Sequence, residues 1–455
     1  MPVDILYPYS VISEQFANMS AGSKSAPTAH KQSIKSKIIE AYKRYSLNHI
    51  FADAWKEQDF GPLPISVGQA NSNQIKQVAE LLKASKRPLA ILGSQSVLRP
   101  YGPDVVANLI KELGIPVYLN GAARGLMGKD YELQFRHARK EAVREADLVL
   151  LLGAICDFRL SYGQIFKRPT KVVSINRSIN SAKLNAGIFW QPTLAIESDV
   201  GKFLQDLIKY RDRSSALPAS GGNTTGTERM PLSVDKQWLE ALRNRDDKKD
   251  LDIKQLSNDA VDRHLNPLKV LHQLKKTFDS DDTILVADGG DFVASASYIM
   301  KPCGPLRWLD PGPYGTLGCG AGFALAAKLH NPEKQVVAIM GDGAFGYAIP
   351  ELDTFVRHKI PVFWLIGNDS CWTQIAREQL PMLGSSIGCD LAPTNYHEVA
   401  KGFGAKGYLL NEEKSLVGEN NILVKAKNAL VKNGDTVVVN SLIGKTKFRD
   451  GSISV

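Results

Sequence analysis

The chain has 455 residues, of which 44% are apolar and 23% are charged, and its formal net charge is +9. This length suits two or three domains with sizeable cores, and the composition excludes disordered and collagen-like classes. The lysines and arginines are dispersed, so we predict a mildly basic surface without a nucleic-acid partner. No apolar run reaches the roughly 18 residues of a membrane span, so we predict none. The five cysteines form no CxxC pair, which indicates free thiols in a reducing compartment.

Residues 63–212 carry alternating helix and strand patterns. Apolar residues of 73–85 recur at helical spacing, and 105–113 does the same. Short apolar runs between and after these helices predict strands at 88–92, 116–119, 148–152 and 172–175. Such alternation predicts an α/β domain with a parallel sheet covered on both faces.

A stretch rich in Pro, Gly, Ser and Thr at 216–233 marks a domain boundary. We assign 213–262 to a linker, in which the charge run 246–254 is predicted to be the solvated face of a helix. The last domain spans 263–455 and is predicted to begin with a helix at 270–278 and a strand at 283–287.

The stretch QVVAIMGDGAFGYAIPELDTFVRHKIPVFWLIGNDS predicts a βαβ unit within this last domain. An apolar run at 336–340 leads into Gly341-Asp342-Gly343, a helical pattern follows, and a second run at 362–366 ends at Gly367-Asn368-Asp369. The crossover between parallel strands is right-handed. Both polar clusters therefore lie at carboxyl ends of neighbouring strands, where open α/β sheets bind ligands.

The residue types at these strand ends suit a phosphorylated ligand with a metal ion. Gly341 and Gly343 let the backbone approach a bulky anion, and the helix N-terminus after them offers N–H groups to phosphate. Asp342 and Asn368 each supply one hard oxygen. Two protein oxygens with phosphate oxygens and water make a typical Mg²⁺ site.

Gly341-Asp342-Gly343 followed by Asn368 resembles the motif of thiamine-diphosphate-dependent enzymes, although Gly367 replaces the first of the two asparagines found there. The resemblance implies that Asp342, Asn368 and the carbonyl of Ser370 bind Mg²⁺. The segments GDGAFGY, GNDSCWTQIAREQ and KFRDGSISV resemble the acetolactate-synthase-like and 2-hydroxyacyl-CoA lyase group of that family, and the likeness runs from Pro2 to Val455.

A second motif, WLDPGPYGTLGCGAG, resembles the glycine-rich loop that holds the cofactor's pyrimidine in this family. The resemblance implies that the Gly315 carbonyl accepts a hydrogen bond from the aminopyrimidine. It also implies that Leu317 replaces a methionine that bends the cofactor. A predicted helix, 321–329, follows the loop. The cofactor-binding residues that the resemblance implies are Gly289, Gly290, Asp291, Gly315, Thr316, Leu317, Gly341, Asp342, Gly343, Ala344 and Asn368.

The fold that the resemblance implies is two doubly wound parallel-sheet domains, a central Rossmann-like one and a C-terminal one that binds thiamine diphosphate. Some family members hold FAD or ADP in the central domain, with an acidic residue after the strand that matches 172–175. Asn176-Arg177 stands there, so we expect no tightly bound FAD. Arg124 and Asp157-Phe158-Arg159 remain candidates for nucleotide contact, and a scaffold without a ligand is the alternative.

The catalytic glutamate of the family protonates the cofactor's ring nitrogen and lies in a pyrimidine-binding domain. No residue of this sequence matches it, so we name no catalytic residue. Residues 1–62 match the end of that domain and a linker, with a Ser-, Ala- and Lys-rich part at 20–36 and a helical pattern at 37–55. We therefore expect this chain to be inactive by itself.

The resemblance favours a carbon–carbon lyase that converts a 2-hydroxyacyl-CoA to formyl-CoA and a shortened aldehyde. The alternatives are an acetolactate synthase-like carboligase acting on pyruvate, a 2-oxo acid, and a cofactor-binding partner subunit without activity. A simple NAD enzyme is disfavoured because no GxGxxG follows the first strand. Family members form homodimers or homotetramers. The resemblance also implies a location at the endoplasmic reticulum membrane, facing the cytosol, although this chain alone is predicted to be soluble and cytoplasmic.

Overall fold

The structure is a computed structural model that describes residues 34–50, 61, 66–215 and 233–450. The chain divides into two compact units, Met1–Ile65 and Ser66–Val455. The first contains helix α1 (Ile34–Ile50). The predictions for 1–33, for 51–55 and for most of the boundary stretch at 216–233 lie outside the described residues, as does the chain end at 451–455.

The second unit contains two six-stranded sheets, and every strand pairing in them is parallel. The first sheet has the order β3-β2-β1-β4-β5-β6, which is the order of dinucleotide-binding folds. Its strands are β1 (Pro88–Leu92), β2 (Val117–Leu119), β3 (Gln134–Phe135), β4 (Leu148–Leu152), β5 (Lys171–Asn176) and β6 (Leu194–Glu197). Its helices are α2 (Ser72–Ala84), α3 (Pro103–Leu113), α4 (Arg139–Glu145), α5 (Ile179–Ala182) and α6 (Val200–Ser215). The predicted α/β class with parallel sheets is confirmed.

Local sequence signals explain where these elements begin and end. β1 and β4 are buried at every residue, as expected for central parallel strands covered on both faces. Asn71 and Gln74 form a reciprocal capping box at the start of α2. Helix α3 begins at Pro103 and ends before Gly114, whose φ of 70° closes the helix.

The segment assigned to a linker contains a long helix, α7 (Lys236–Leu256). Trp238, Leu242 and Ile253 are buried along it. The helix predicted from the charge run is present, but its charged residues are not all solvated. Asp246 is only 6% exposed and accepts hydrogen bonds from the backbone N–H groups of Arg136 (2.9 Å) and His137 (2.6 Å). A buried carboxylate with two donors is stable where an unpaired one would not be.

The second sheet has the order β11-β12-β10-β9-β7-β8. Its strands are β7 (Thr283–Asp288), β8 (Trp308–Leu309), β9 (Gln335–Gly341), β10 (Phe363–Asn368), β11 (Lys406–Leu410) and β12 (Val437–Leu442). Its helices are α8 (Pro267–Thr277), α9 (Asp291–Ile299), α10 (Gly320–His330), α11 (Asp342–Ala348), α12 (Glu351–Arg357), α13 (Thr373–Leu383), α14 (Tyr396–Gly402) and α15 (Ile422–Asn428).

One helix of the predicted βαβ unit is two helices in the structure. α11 ends at Ala348, and α12 begins after its N-cap residue, Pro350. Proline lacks the N–H that a continuous helix would use, so the break falls where the sequence places it. The two strands on either side, β9 and β10, pair in parallel as the sequence predicted.

Alternate residues of β9 face two different cores. Val337 and Ile339 pack in one cluster of buried residues, and Val336, Ala338 and Met340 pack in another. The sheet is thus buried on both faces, which leaves its strand ends as the polar part of this domain. Within the described residues, each helix is too short or too polar to cross a bilayer.

Candidate cofactor site

A cavity of about 300 Å³ opens where β7, β9 and β10 end. Nine of the predicted cofactor residues line it: Gly289, Gly290, Asp291, Gly315, Leu317, Gly341, Asp342, Gly343 and Ala344. Thr316, Asn368 and Ser370 are not in its lining, although Asp369 and Cys371 are. The strand ends therefore bring most of the predicted residues around one space, with Asn368 buried just behind it.

Asp342 is the first residue of α11 and is 2% exposed. Its Oδ1 accepts a hydrogen bond from the N–H of Gly343 (2.8 Å), whereas its Oδ2 is buried and has no hydrogen-bond partner among the described residues. Burial and the nearby charge of Asp369 raise the pKa of Asp342 to about 6, against the opposing effect of backbone N–H groups. An ionised, buried oxygen without a partner suits a bound cation.

Asn368 is the last residue of β10 and is 2% exposed. Its Nδ2 donates to the carbonyl of Thr394 (3.0 Å) and to Oδ1 of Asn440 (3.1 Å). Its Oδ1 accepts from the N–H and the hydroxyl of Ser370 at 3.2 and 3.3 Å. The neighbours thus fix which end of the amide is oxygen.

Ser370 has a left-handed backbone with φ of 56°. Its carbonyl accepts a hydrogen bond from the N–H of Leu391 (2.8 Å). A carbonyl oxygen has two lone pairs, so this bond leaves one for a metal ion. Asp342, Asn368 and Ser370 together offer a carboxylate, an amide oxygen and a carbonyl, which are the hard ligands that Mg²⁺ prefers.

Two glycines in this region have no room for a side chain. A Cβ on Gly343 would overlap the ring of Trp372, and a Cβ on Gly367 would overlap the ring of Phe292. The second overlap explains why glycine stands where the family motif has its first asparagine. The aromatic ring of Phe292 occupies the space that an asparagine side chain would need.

Asp288 holds the loop that carries Leu317. It ends β7, is fully buried, and its Oδ2 accepts a hydrogen bond from the N–H of Gly320 (2.7 Å). Burial raises the pKa of Asp288, and the N–H groups of Gly320 and Gly318 oppose that rise. Leu317 is half-buried, packs against the core and lines the cavity. Asp288 was not predicted as a site residue, although it stands directly before Gly289.

Asp291 lines the cavity but already has a partner. It forms an ion pair with Arg377 of α13, and Arg377 also donates to the carbonyl of Arg449.

The central domain also contributes to the lining of this cavity. Asn120 and Gly121 line it but were not predicted from the sequence. The candidate nucleotide residues Arg124, Phe158 and Arg159 line it as well. The cavity is therefore shared between the two sheets.

Side chains at the strand ends of the central sheet are bonded to one another. Asn176 is fully buried and its Oδ1 accepts from Nε2 of Gln95 (3.0 Å). Arg177 pairs with Asp199 at 2.7 Å. A Cβ on Gly153 would lie 2.6 Å from Cβ of Gln95. The residues at the end of β5 are thus an amide and a guanidinium group that already pair with Gln95 and Asp199.

Two family models match the two domains of this chain. Residues 75–207 match the family model "Thiamine pyrophosphate enzyme, central domain", and residues 288–440 match "Thiamine pyrophosphate enzyme, C-terminal TPP binding domain". The 2-hydroxyacyl-CoA lyase 2 of Danio rerio is 45% identical over 454 residues, which are 100% of this chain and 68% of that protein.

Two other relatives are similar to this chain at lower identity. The 2-hydroxyacyl-CoA lyase 2 of Homo sapiens is 42% identical over 457 residues, which cover 100% of this chain and 67% of the relative. A probable acetolactate synthase of Mycobacterium bovis is 32% identical over 387 residues, 82% of this chain and 63% of the relative. With both domain models and these identities, the chain belongs to the thiamine pyrophosphate enzyme family.

Proposed function

We propose that this chain is the cofactor-binding part of a Mg²⁺- and thiamine-diphosphate-dependent lyase that acts on 2-hydroxyacyl-CoA thioesters. The bond between C1 and C2 breaks, the C2 hydroxyl loses its proton to give the aldehyde, and C1 gains a proton to give formyl-CoA. The observation that carries the proposal is the buried Oδ2 of Asp342, which has no hydrogen-bond partner in the part of the chain that the structure describes and lies beside Asn368 at the ends of neighbouring strands.

The residues of the cavity and those just behind it would have distinct tasks in this proposal. Asp342, Asn368 and the Ser370 carbonyl would hold the metal ion, and the glycines at 289, 290, 341 and 343 would leave space for the diphosphate. Leu317 would pack against the cofactor. When bound, thiamine diphosphate would supply a carbanion and an electron sink for the cleavage of a carbon–carbon bond.

A second cavity of about 430 Å³ adjoins the first and shares Arg124, Phe158, Arg159 and Trp308 with it. Its other lining residues include several cations: Arg136, Arg139, Lys140, Lys301 and Arg449. Burial lowers the pKa of the Arg124, Arg136 and Arg139 guanidinium groups, which is the cost of keeping positive charge there.

An anionic ligand would offset that cost. Asp250 faces the same cluster and pairs with His137 (2.8 Å), Arg136 (3.7 Å) and Lys301 (3.3 Å), but it balances only part of the charge. Nη1 of Arg136 is buried and has no hydrogen-bond partner within residues 34–50, 66–215 and 233–450. Coenzyme A carries three phosphate groups, so it suits a basic cavity beside the cofactor better than pyruvate does.

The test is ligand binding to the purified protein with Mg²⁺ and thiamine diphosphate present. Calorimetry should show that coenzyme A binds, that dephospho-coenzyme A binds more weakly, and that Arg139→Gln weakens both. The control is Arg168→Gln, since Arg168 is exposed on the same domain and lines neither cavity. Binding of pyruvate without binding of coenzyme A would instead favour the acetolactate synthase-like alternative.

A cofactor-binding subunit without activity is the alternative of another class. It would bind Mg²⁺ and thiamine diphosphate normally but neither coenzyme A nor pyruvate.

The proposal also includes a homodimer or homotetramer at the cytosolic face of the endoplasmic reticulum membrane. Helix α13 and the turn after it support the assembly, because Met382, Leu383 and Ile387 are each at least 70% exposed and would be covered by another subunit. The location rests on the family resemblance.

A further inference from the structure

Asn440 is a fully buried amide in the middle of an apolar strand. It belongs to β12, whose other residues before it are Val437, Val438 and Val439. β12 pairs with β10, and the register places Asn440 beside Ile366, two residues before Asn368. Burying an amide is costly unless its donors and acceptor are bonded, so the bonds that Asn440 makes explain its presence.

The bonds of Asn440 reach the Asn368 amide directly. Its Oδ1 accepts from Nδ2 of Asn368 at 3.1 Å. Its Nδ2 lies 3.5 Å from the carbonyl of Thr394 and 3.3 Å from Nδ1 of His397. The Thr394 carbonyl also accepts from Nδ2 of Asn368 at 3.0 Å. A backbone carbonyl can only accept, so both amides must turn their nitrogen towards it.

His397 supports the same orientation from the other side of Asn440. Its Nε2 lies 3.5 Å from a carboxylate oxygen of Glu398, and burial lowers the pKa of the ring, which favours the neutral form. A neutral ring with its proton on Nε2 leaves Nδ1 as an acceptor. Asn440 then offers Nδ2 to His397 and Thr394 and offers Oδ1 to Asn368.

We propose that Asn440 is a positioning residue that makes Asn368 offer its oxygen, and not its nitrogen, to the metal ion. This inference rests on the proposed Mg²⁺ site. Without the Asn440 acceptor, the Asn368 amide loses one of the two bonds that fix its nitrogen. A reversed amide would present N–H groups to a cation and would supply no ligand.

The first test compares Asn440→Leu with the wild-type chain and with Ser441→Ala. Leucine keeps the γ-branched shape of asparagine, although it is larger, and it cannot accept a hydrogen bond from Asn368. Ser441 is the next residue of β12, is also fully buried, and its Oγ has no hydrogen-bond partner among the described residues, so it is a matched control. Titration of Mg²⁺ in the presence of thiamine diphosphate, followed by calorimetry, should show about 10–100-fold weaker binding for Asn440→Leu and no change for Ser441→Ala. Asn440→Asp keeps an acceptor for Asn368 but loses the donor to Thr394 and His397, so it should retain more Mg²⁺ affinity than Asn440→Leu.

A second set of variants, built on Asn368→Asp, separates a positioning role of Asn440 from a loss of structure. In Asn368→Asp the ligand has an oxygen at both ends, so its orientation no longer matters. Adding Asn440→Leu to Asn368→Asp should then weaken Mg²⁺ binding far less than it does in the wild-type background, whereas a structural defect would weaken both equally. Circular dichroism checks folding, and Asn440→Ala replaces Asn440→Leu with the same expectation if the latter does not fold.

The outcomes separate this inference from the function on which it rests. If the wild-type chain binds thiamine diphosphate with Mg²⁺ but Asn440→Leu binds the metal as tightly, or loses as much in the Asn368→Asp background, the positioning role is overturned alone. If the wild-type chain shows no Mg²⁺-dependent binding, the proposed function and the inference are both overturned.

Discussion

The carboxylate of Asp342 should destabilise the metal-free protein at neutral pH, so replacing it with asparagine should make that form more stable. Asp342→Asn keeps the size of the side chain and keeps Oδ1 for the N–H of Gly343. It removes the charge of a group that is 2% exposed and has one oxygen without a partner. A residue needed for cofactor binding would then oppose folding when the cofactor is absent.

The magnitude follows from the pKa of Asp342, which burial and the charge of Asp369 raise from 3.8 to about 6. That difference corresponds to about 3 kcal/mol of unfolding free energy. Below the unfolded-state pKa the group is protonated in both states and costs nothing. As pH rises towards the folded-state pKa, the unfolded chain gives up its proton first, so the folded state loses stability. Above the folded-state pKa the full cost is present.

Urea unfolding with a chelator present measures this effect. At pH 7.5 we expect Asp342→Asn to be more stable than the wild type by about 1–3 kcal/mol, and the gap should shrink as the pH falls towards 4. Mg²⁺ with thiamine diphosphate should reverse the order, since only the wild type gains a bound metal. The control is Asp353→Asn, whose side chain is 57% exposed and pairs with Arg357 on the surface. A variant less stable than the wild type at pH 7.5, or a gap independent of pH, would refute the reasoning.

Four further predictions follow from the site. Asn368→Ala should abolish Mg²⁺-dependent thiamine-diphosphate binding in calorimetry, and an unchanged affinity would contradict the metal site. The purified, desalted protein should lack flavin absorption, because Asn176 stands where a ribose-binding carboxylate would, and a yellow protein would show this to be wrong. Leu317→Ala should lower the stability by about 2 kcal/mol and weaken thiamine-diphosphate binding, while Leu317→Met should be nearly neutral in both; equal cofactor affinity of the two variants would make Leu317 an ordinary core residue. The 455-residue chain alone should not turn over 2-hydroxyacyl-CoA or pyruvate, because the family glutamate matches none of its residues, and robust turnover would refute that.

The sequence predicted the buried central strands best. β1 and β4 begin and end at the predicted residues because each is a continuous apolar run, as a strand buried on both faces must be. β3 and β8 have two residues each and carry no detectable period. The break at Pro350 was visible in the sequence but was assigned to one continuous helix.

The site residues also divide into those that a local sequence pattern reveals and those that it does not. Asp342 and Asn368 were predictable because a motif fixes their spacing along the chain. Asn440, Thr394 and Asp288 were not, since each acts through one hydrogen bond to a residue far away in sequence. A single amide within an apolar strand was the available signal for Asn440. Its partner could be recognised only when the register of β10 and β12 was known.

The contact between Gly367 and Phe292 restricts how this site can change by mutation. Restoring the asparagine of the common motif at 367 alone would force its side chain into the ring of Phe292. Reducing Phe292 alone would leave a cavity against a backbone without a side chain to fill it. Each single step is therefore costly, and only the paired exchange keeps the volume constant. A library that varies one of these positions at a time would therefore miss the compatible combinations.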